Sequence, residues 1–223
     1  MALQNFDQLN NIATNWFEGM GVSVSEKKKR IDLSLDYCEI IIMLFQLIEG
    51  NHPKESCVEF AEERLKIIAE NYVGKRNIAY INDWSHKEAE KIVDVTIRNE
   101  EKISEDSEDK EIVMEFGNVD MHIPEKEYWT SEERGLLIGV ECATITANFD
   151  DLSRAMDRKC TRKTWITEAD DRVRKTHEAV HGTEIAINDY FQVGNSYLLF
   201  PGDISRDAED KEICGCRCFC EYF

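Results

Sequence analysis

Two histidines in the last quarter of the chain have the spacing of a metal site. His177 and His181 are four residues apart, which on a helix places both imidazoles on one face. Glu178 follows His177 directly, so the segment has the H-E-x-x-H order in which two histidines bind zinc and a glutamate activates water. A glycine and a strand-like pattern follow at once, whereas a protease helix continues past its second histidine. A metal-dependent hydrolase, nuclease or protease, using His177, Glu178 and His181 is therefore kept as the alternative function.

The tail of the chain carries four cysteines at alternate positions. In an extended strand Cys214, Cys216, Cys218 and Cys220 would all point to one face. Two of these thiolates, together with residues of the histidine segment, would complete a tetrahedral zinc site if Gly215 bends the strand. The other interpretation is that the cysteines are small apolar side chains of a core strand. The C-x-x-C spacing of a zinc knuckle is absent.

Charge and composition exclude several classes of protein. The 223 residues carry a net charge of −18, which opposes binding to DNA because affinity for a phosphate backbone comes mainly from lysine and arginine. DNA contact would need a local basic patch, at residues 27–30 or 154–175, and both are also explained as solvated faces. No apolar run approaches the roughly 20 residues of a membrane span, and residues 1–15 lack a secretory signal. We expect synthesis in the cytoplasm, no membrane contact and reduced cysteines.

Apolar periodicity predicts three helices in the first hundred residues. The first covers residues 30–49, the second lies between Pro53 and Gly74, and the third begins at a capping box that opens with Ser85. Together they indicate an antiparallel helical unit over residues 1–98. The first helix is apolar on two faces, which is typical either of a central bundle helix or of a helix pressed against another protein. On the second interpretation, the partner-binding residues are Ile41, Leu44 and Ile48.

The composition changes sharply at residues 99–111. Seven acidic side chains stand there against two lysines and one hydrophobic residue, which predicts an acidic linker. A solvated helix is the alternative interpretation of the same segment.

Residues 112–223 predict a small C-terminal α+β domain, and the fold class of the whole chain is α+β. A hairpin is expected over residues 112–123, with its turn at residues 117–118. A capping box at residues 130–133 predicts a helix to about residue 148, and a further short helix reaches Cys160. Alternation at period two then predicts short antiparallel strands at residues 185–187, 197–200 and 214–222.

Six fragments in this half occur in an order that resembles a known family. They are Lys163-x-Trp165, Asp171-x-x-Arg174-x-x-His177, Gly182, Phe191, Pro201-Gly202-Asp203 and Cys216-Arg217-Cys218. Their order and spacing over residues 130–220 resemble the C-terminal signature of the phage Mu F / SPP1 gp7-like minor head proteins. His181 stands where the family often has an acidic residue, and Gly215 stands where an asparagine often precedes C-R-C.

The resemblance implies a non-enzymatic minor head protein that acts in head assembly at or near the portal. Its partners would be the portal protein and other head proteins. It would be located in the host cytoplasm during assembly and in the capsid interior afterwards. On this interpretation His177, Cys216 and Cys218 tie the C-terminal strand to the segment of residues 171–182, with one structural zinc as the expected cofactor. Further ligands would come from Asp171, His181 or Cys214.

Overall fold

The computed structural model describes residues 5–74, 76–105, 110–116 and 119–223. The helices within these residues are α1 (Phe6–Glu18), α2 (Val24–Glu49), α3 (Lys54–Val73), α4 (Ile78–Glu105), α5 (Glu125–Tyr128), α6 (Glu132–Asp157), α7 (Lys175–Glu178) and α8 (Asp210–Ile213). The strands are β1 (Glu111–Phe116), β2 (Val119–Pro124), β3 (Arg162–Ile166), β4 (Glu184–Ala186), β5 (Phe191–Val193), β6 (Ser196–Leu198) and β7 (Phe219–Tyr222). None of the described helices combines the length and apolar composition that crossing a bilayer requires.

The predicted α+β class is confirmed. Four N-terminal helices precede a region of short antiparallel strands, arranged as the hairpin β1–β2, the sheet β4-β3-β7 and the hairpin β5–β6. The predicted helix between Pro53 and Gly74 matches α3. The predicted hairpin over residues 112–123 matches β1 and β2, while its predicted turn at residues 117–118 lies outside the described residues.

Three predicted helix starts are wrong, because the helices begin at other residues. Ser23 begins α2, where its Oγ accepts a hydrogen bond from the backbone N–H of Glu26. Ser131 begins α6 in the same way, one residue after the predicted cap. Ser85, the predicted start of the third helix, is buried inside α4, which begins at Ile78.

Two other predicted boundaries fall inside continuous helices. Helix α6 continues to Asp157, so it joins the two helices predicted for residues 130–148 and 150–160. Helix α4 continues to Glu105, so residues 99–105 of the predicted linker are helical. Residues 106–109 lie outside the described part of the chain.

Helices α2 and α6 pack closely because small residues face the partner backbone. A Cβ at Gly139 would lie 2.4 Å from the carbonyl oxygen of Ser34, and a Cβ at Gly135 would lie 2.8 Å from the side chain of Ile42. Glycine at these positions therefore lets the two backbones approach. Since α2 and α6 come from the two predicted units, residues 1–98 and 112–223, one hydrophobic cluster runs across both.

The residues predicted to bind a partner belong to this cluster. Ile41 and Leu44 are completely buried among side chains of α3, α4 and α6, and Ile48 packs against the same cluster. The two apolar faces of α2 are thus explained by a central position in the bundle. The prediction that Ile41 and Leu44 form a partner surface is wrong, because neither side chain reaches solvent.

Candidate metal centre

The C-terminal tail bends back at Gly215. Helix α8 ends at Ile213, and Gly215 has a φ of 65°, a left-handed conformation that glycine adopts without steric cost. The predicted strand over residues 214–222 is therefore shorter, and only Phe219–Tyr222 pairs with β3. The bend separates Cys214 from the cysteines that follow it. It also directs Cys216 and Cys218 toward helix α7.

Three buried side chains meet at this bend and could hold a metal ion. They are His177 of α7, Cys216 and Cys218, and their ligand atoms all lie within 4.8 Å of one another. His177 Nδ1 is 3.4 Å from Cys218 Sγ and 3.7 Å from Cys216 Sγ. The exposed fraction is 1% for the histidine and 4% for each cysteine, so solvent does not compete for these ligands. We refer to these three residues as the His-Cys-Cys triad.

The pKa values of the two triad cysteines shift in opposite directions. The thiol of Cys218 donates a hydrogen bond to Cys216, and His177 lies on the other side, so the pKa of Cys216 falls well below that of an ordinary thiol. The neighbouring Cys216 sulfur and burial raise the pKa of Cys218. Metal binds the thiolate form, so binding would displace the thiol protons, and the lowered pKa of Cys216 favours this step.

A carboxylate lies behind the histidine of the triad. Nε2 of His177 lies 3.2 Å from Oε2 of Glu212, although the geometry between the two atoms is not that of a hydrogen bond. Both side chains are buried. Thr176 donates a hydrogen bond from Oγ1 to the same carboxylate at 2.7 Å. Metal-binding histidines usually present their second ring nitrogen to a carboxylate, which fixes the ring and raises its basicity. Glu212 was not predicted, because no spacing in the sequence relates it to His177.

The indole of Trp165 closes another side of the triad. Trp165 is fully buried and packs edge-on against the imidazole of His177, with ring centroids 5.6 Å apart. In the sheet, Trp165 is paired with Cys220 on β7. The aromatic contact keeps the histidine facing the cysteines.

The predicted additional ligands lie elsewhere. Cys214 is 3.5 Å from Glu141 and 3.7 Å from the Lys91 ammonium, and Asp171 is exposed. Within the described residues, the group that could hold a metal ion consists of the triad alone. None of Asp171, His181 and Cys214 completes it.

The H-E-x-x-H segment does not form a two-histidine site. Helix α7 ends at Glu178, a single turn after it begins, and Glu178 is exposed. The ring of His181 is also exposed, and its Nδ1 accepts a hydrogen bond from the backbone N–H of Thr167 at 3.0 Å. The early helix end therefore places the two imidazoles in different surroundings, and the geometry gives the hydrolase alternative no support.

Polar side chains of the helices and of the Pro201-Gly202-Asp203 fragment hold the tail in place. Asn148 of α6 donates hydrogen bonds from Nδ2 to the carbonyl oxygens of Pro201 and Cys218, at 2.9 and 3.0 Å. Its Oδ1 accepts a hydrogen bond from the buried Arg30 of α2 at 3.0 Å. Asp203 is buried and accepts hydrogen bonds from the backbone N–H of Leu199 and of Ser205. The Pro201-Gly202-Asp203 turn is thus fixed against both the helices and the tail.

Arg217 lies between the two cysteines of the triad and faces the opposite way. Its Nη2 lies 2.7 Å from each carboxylate oxygen of Asp170. The hydrogen bond from Arg217 and its charge lower the pKa of Asp170 against the opposing effect of burial. Asp171 belongs to the fragment pattern, but it is Asp170 that pairs with Arg217.

Several cations of the two basic patches are paired or buried. In the first, Lys28 pairs with Asp32 at 2.8 Å and Arg30 is completely buried. In the second, Arg154 pairs with Asp150 and Arg162 with Glu184. Ion pairs of this kind are typical of solvated helix and strand faces.

Comparison with known proteins leaves the resemblance as a prediction. No family model, no curated protein and no solved structure matches this chain. The family assignment therefore rests on the six fragments alone, and the metal centre rests on its own geometry.

Metal content tests the triad directly. The purified chain should contain about one bound metal ion, and Cys216→Ser, Cys218→Ser and His177→Ala should each reduce it below about a tenth, because two remaining ligands hold a metal poorly. Inductively coupled plasma mass spectrometry after gel filtration measures this. Cys220→Ser and His181→Ala are the matched controls and should retain the metal. Loss of metal in His181→Ala, with retention in Cys216→Ser, would contradict the triad.

The carboxylate behind His177 gives a second prediction. Glu212→Gln keeps the size of the side chain but removes its charge, and it should weaken metal affinity by roughly 10- to 100-fold. Competition with a chromogenic chelator measures that affinity. Glu209→Gln is the control, because Glu209 pairs with the exposed Lys211 and lies outside the triad. Equal affinities in the two variants would show that Glu212 does not act on the histidine.

Proposed function

We propose that the chain is a non-enzymatic minor head protein of a phage, which acts in head assembly at or near the portal. It is present in the host cytoplasm during assembly and becomes packaged in the capsid. The proposal begins from the resemblance of residues 130–220 to the Mu F / SPP1 gp7-like family. Its partners are the portal protein and other head proteins.

One structural observation supports this proposal most strongly. Fragments of the family pattern that are far apart in the sequence meet around one buried centre: Trp165 packs on His177, and His177 contacts Cys216 and Cys218. The Pro201 turn is bonded to Asn148, which also holds the Cys218 backbone. Residues that share a structural task are expected to recur together in a family, whereas a chance match of short motifs has no reason to converge in space.

We assign the metal of the triad as zinc with a structural role. In a tetrahedral zinc site, bonds of about 2.3 Å to sulfur and about 2.0–2.1 Å to nitrogen place sulfur and nitrogen about 3.6 Å apart. The observed separations of 3.4 and 3.7 Å lie on either side of that value. Zinc would link α7 directly to the tail, whose strand β7 pairs only with β3.

Among the described residues, the H-E-x-x-H segment does not form the two-histidine site that the hydrolase alternative requires. Glu178, the residue that would activate water, is exposed and stands apart from the buried triad. The ring of His177 already contacts the two cysteine sulfurs through Nδ1 and lies beside the Glu212 carboxylate at Nε2. The triad side chains therefore bind and position one another.

The surface that meets the portal differs from the one the sequence suggested. Since Ile41 and Leu44 are inside the bundle, contact with the portal protein falls on exposed residues of the helical region. The chain is strongly acidic, so we expect this contact to be weakened by a partner of like charge and strengthened by a basic one.

Purified particles test the proposed function. Heads assembled from the genome that encodes the chain should contain it at low copy number, and protease should remove it only after the particles are opened. Quantitative mass spectrometry of intact and opened heads measures both. A chain absent from the heads, or degraded equally in intact particles, would contradict packaging. Hydrolysis of casein or DNA by the zinc-loaded chain that Glu178→Gln abolishes would contradict the non-enzymatic assignment.

A further inference from the structure

A second group of ionisable side chains lies where α4, α6 and α8 meet. It consists of Glu88 and Lys91 of α4, Glu141 of α6, Asp210 of α8 and Cys214 directly after α8, and we refer to it as the Lys91 cluster. The ammonium of Lys91 is 3.2 Å from the Glu141 carboxylate and 3.0 Å from that of Asp210. Neither the metal centre nor the proposed role in head assembly requires a buried charge at this junction.

Glu88 carries a buried carboxyl group with which no described cation pairs. It is 3% exposed, and the ion pairs of Lys91 within the described residues go to Glu141 and Asp210. Burial, and then the nearby carboxylate of Glu141, raise the pKa of Glu88 to about 7, although the charge of Lys91 opposes this shift. Glu88 therefore gains or loses its proton near neutral pH.

The cation and the thiols that face Glu88 keep their charge state in this range. Although burial acts in the opposite direction, the carboxylates of Glu88 and Glu141 raise the pKa of Lys91, so the ammonium stays charged. Burial raises the pKa of Cys214 to about 12, and it raises that of Cys142 well above the ordinary value, so both thiols stay neutral. Glu88 thus titrates beside one permanent cation.

Lys91 also attaches α8 to the helical bundle. Its ammonium pairs with Asp210 at the start of α8 and lies 3.7 Å from Sγ of Cys214 at the end. The Cys214 thiol in turn donates a hydrogen bond to Glu141 at 3.5 Å. The same short helix carries Glu212, the carboxylate behind the triad histidine. A displacement of the ammonium would therefore act on α8 first.

We propose that the proton on Glu88 controls how firmly α8 is docked on α4 and α6. Glu88 and Lys91 are three residues apart, which places both on one face of α4. An ionised Glu88 therefore competes with Asp210 and Glu141 for the single ammonium, and it also repels the Glu141 carboxylate. A protonated Glu88 leaves Lys91 to its two observed partners, so α8 stays in place.

The direction of the pH dependence follows from the raised pKa of Glu88. Protonation of this group stabilises the folded chain fully below the ordinary glutamate pKa, and the contribution is lost as the pH rises through about 7. Helix α8 is therefore expected to be docked more firmly at pH 6 than at pH 8. The inference is independent of the assignment as a head protein, and no ligand of the triad takes part in the titration.

Hydrogen exchange of the full chain at pH 6 and pH 8 tests the proposal. The amides of Glu212 and Cys214 donate hydrogen bonds to the carbonyls of Glu209 and Asp210, so their exchange reports the opening of α8. The ratio of their exchange rates in the parent chain to those in Glu88→Gln should rise about tenfold from pH 6 to pH 8, because only the parent loses this proton. The ratio also cancels the ordinary increase of exchange with pH.

The unfolding midpoint gives a second measurement. Relative to Glu88→Gln, the midpoint of the parent chain should fall by about 3–5 °C between pH 6 and pH 8. Comparing the two chains removes the contribution of other groups, such as Asp151, whose pKa burial raises to about 6. Glu88→Met, which is neutral and similar in length, takes the place of the glutamine variant if that variant does not fold.

Glu63→Gln is the matched control, since Glu63 is an exposed glutamate of α3. The ratio of the parent rates to those of this control should be the same at both pH values. An exchange ratio for Glu88→Gln that changes less than about twofold would overturn the proposal, because Glu88 would then not titrate. So would an equal rise for the amides of α1, because the proton would then control the whole fold and not the docking of α8.

Discussion

The bend at Gly215 is the constraint on which the C-terminal half depends. A left-handed residue at this point reverses the tail, so that Cys216 and Cys218 meet His177 while Arg217 between them turns toward Asp170. A side chain at this position would require a conformation that L-residues rarely adopt. The same bend thus sets both the triad and the pairing of Arg217 with Asp170.

Buried polar contacts join this bend to the helical bundle. Asn148 uses its amide nitrogen for the carbonyls of Pro201 and Cys218 and its oxygen for Arg30, so α2, α6 and the tail meet at one side chain. The close approach at Gly139 allows α2 and α6 to form a continuous core. A buried network of this kind favours the one arrangement in which its hydrogen bonds form. The helices and the metal centre are expected to unfold together.

The sequence predicted what local patterns encode and missed what depends on distant contacts. Pro53 and Gly74 marked the ends of α3, and the alternation around residues 117–118 marked a hairpin, because these signals act over a few residues. The apolar faces of α2 could not distinguish burial in a bundle from contact with a partner, so Ile41 and Leu44 were misassigned. His177, Cys216 and Cys218 were selected by residue type, and Gly215 by its freedom to bend. Glu212 and Asn148 are single polar residues without a pattern, and only folding brings them to the site.

The central claim is that a tail folded back on α7 forms a zinc centre of one imidazole and two thiolates. X-ray absorption at the zinc edge of the purified chain tests it most directly. We expect two sulfur neighbours at about 2.3 Å and one imidazole nitrogen at about 2.0–2.1 Å, with one further light atom completing the shell. A zinc surrounded by nitrogen and oxygen alone, or by four sulfurs, would contradict the account.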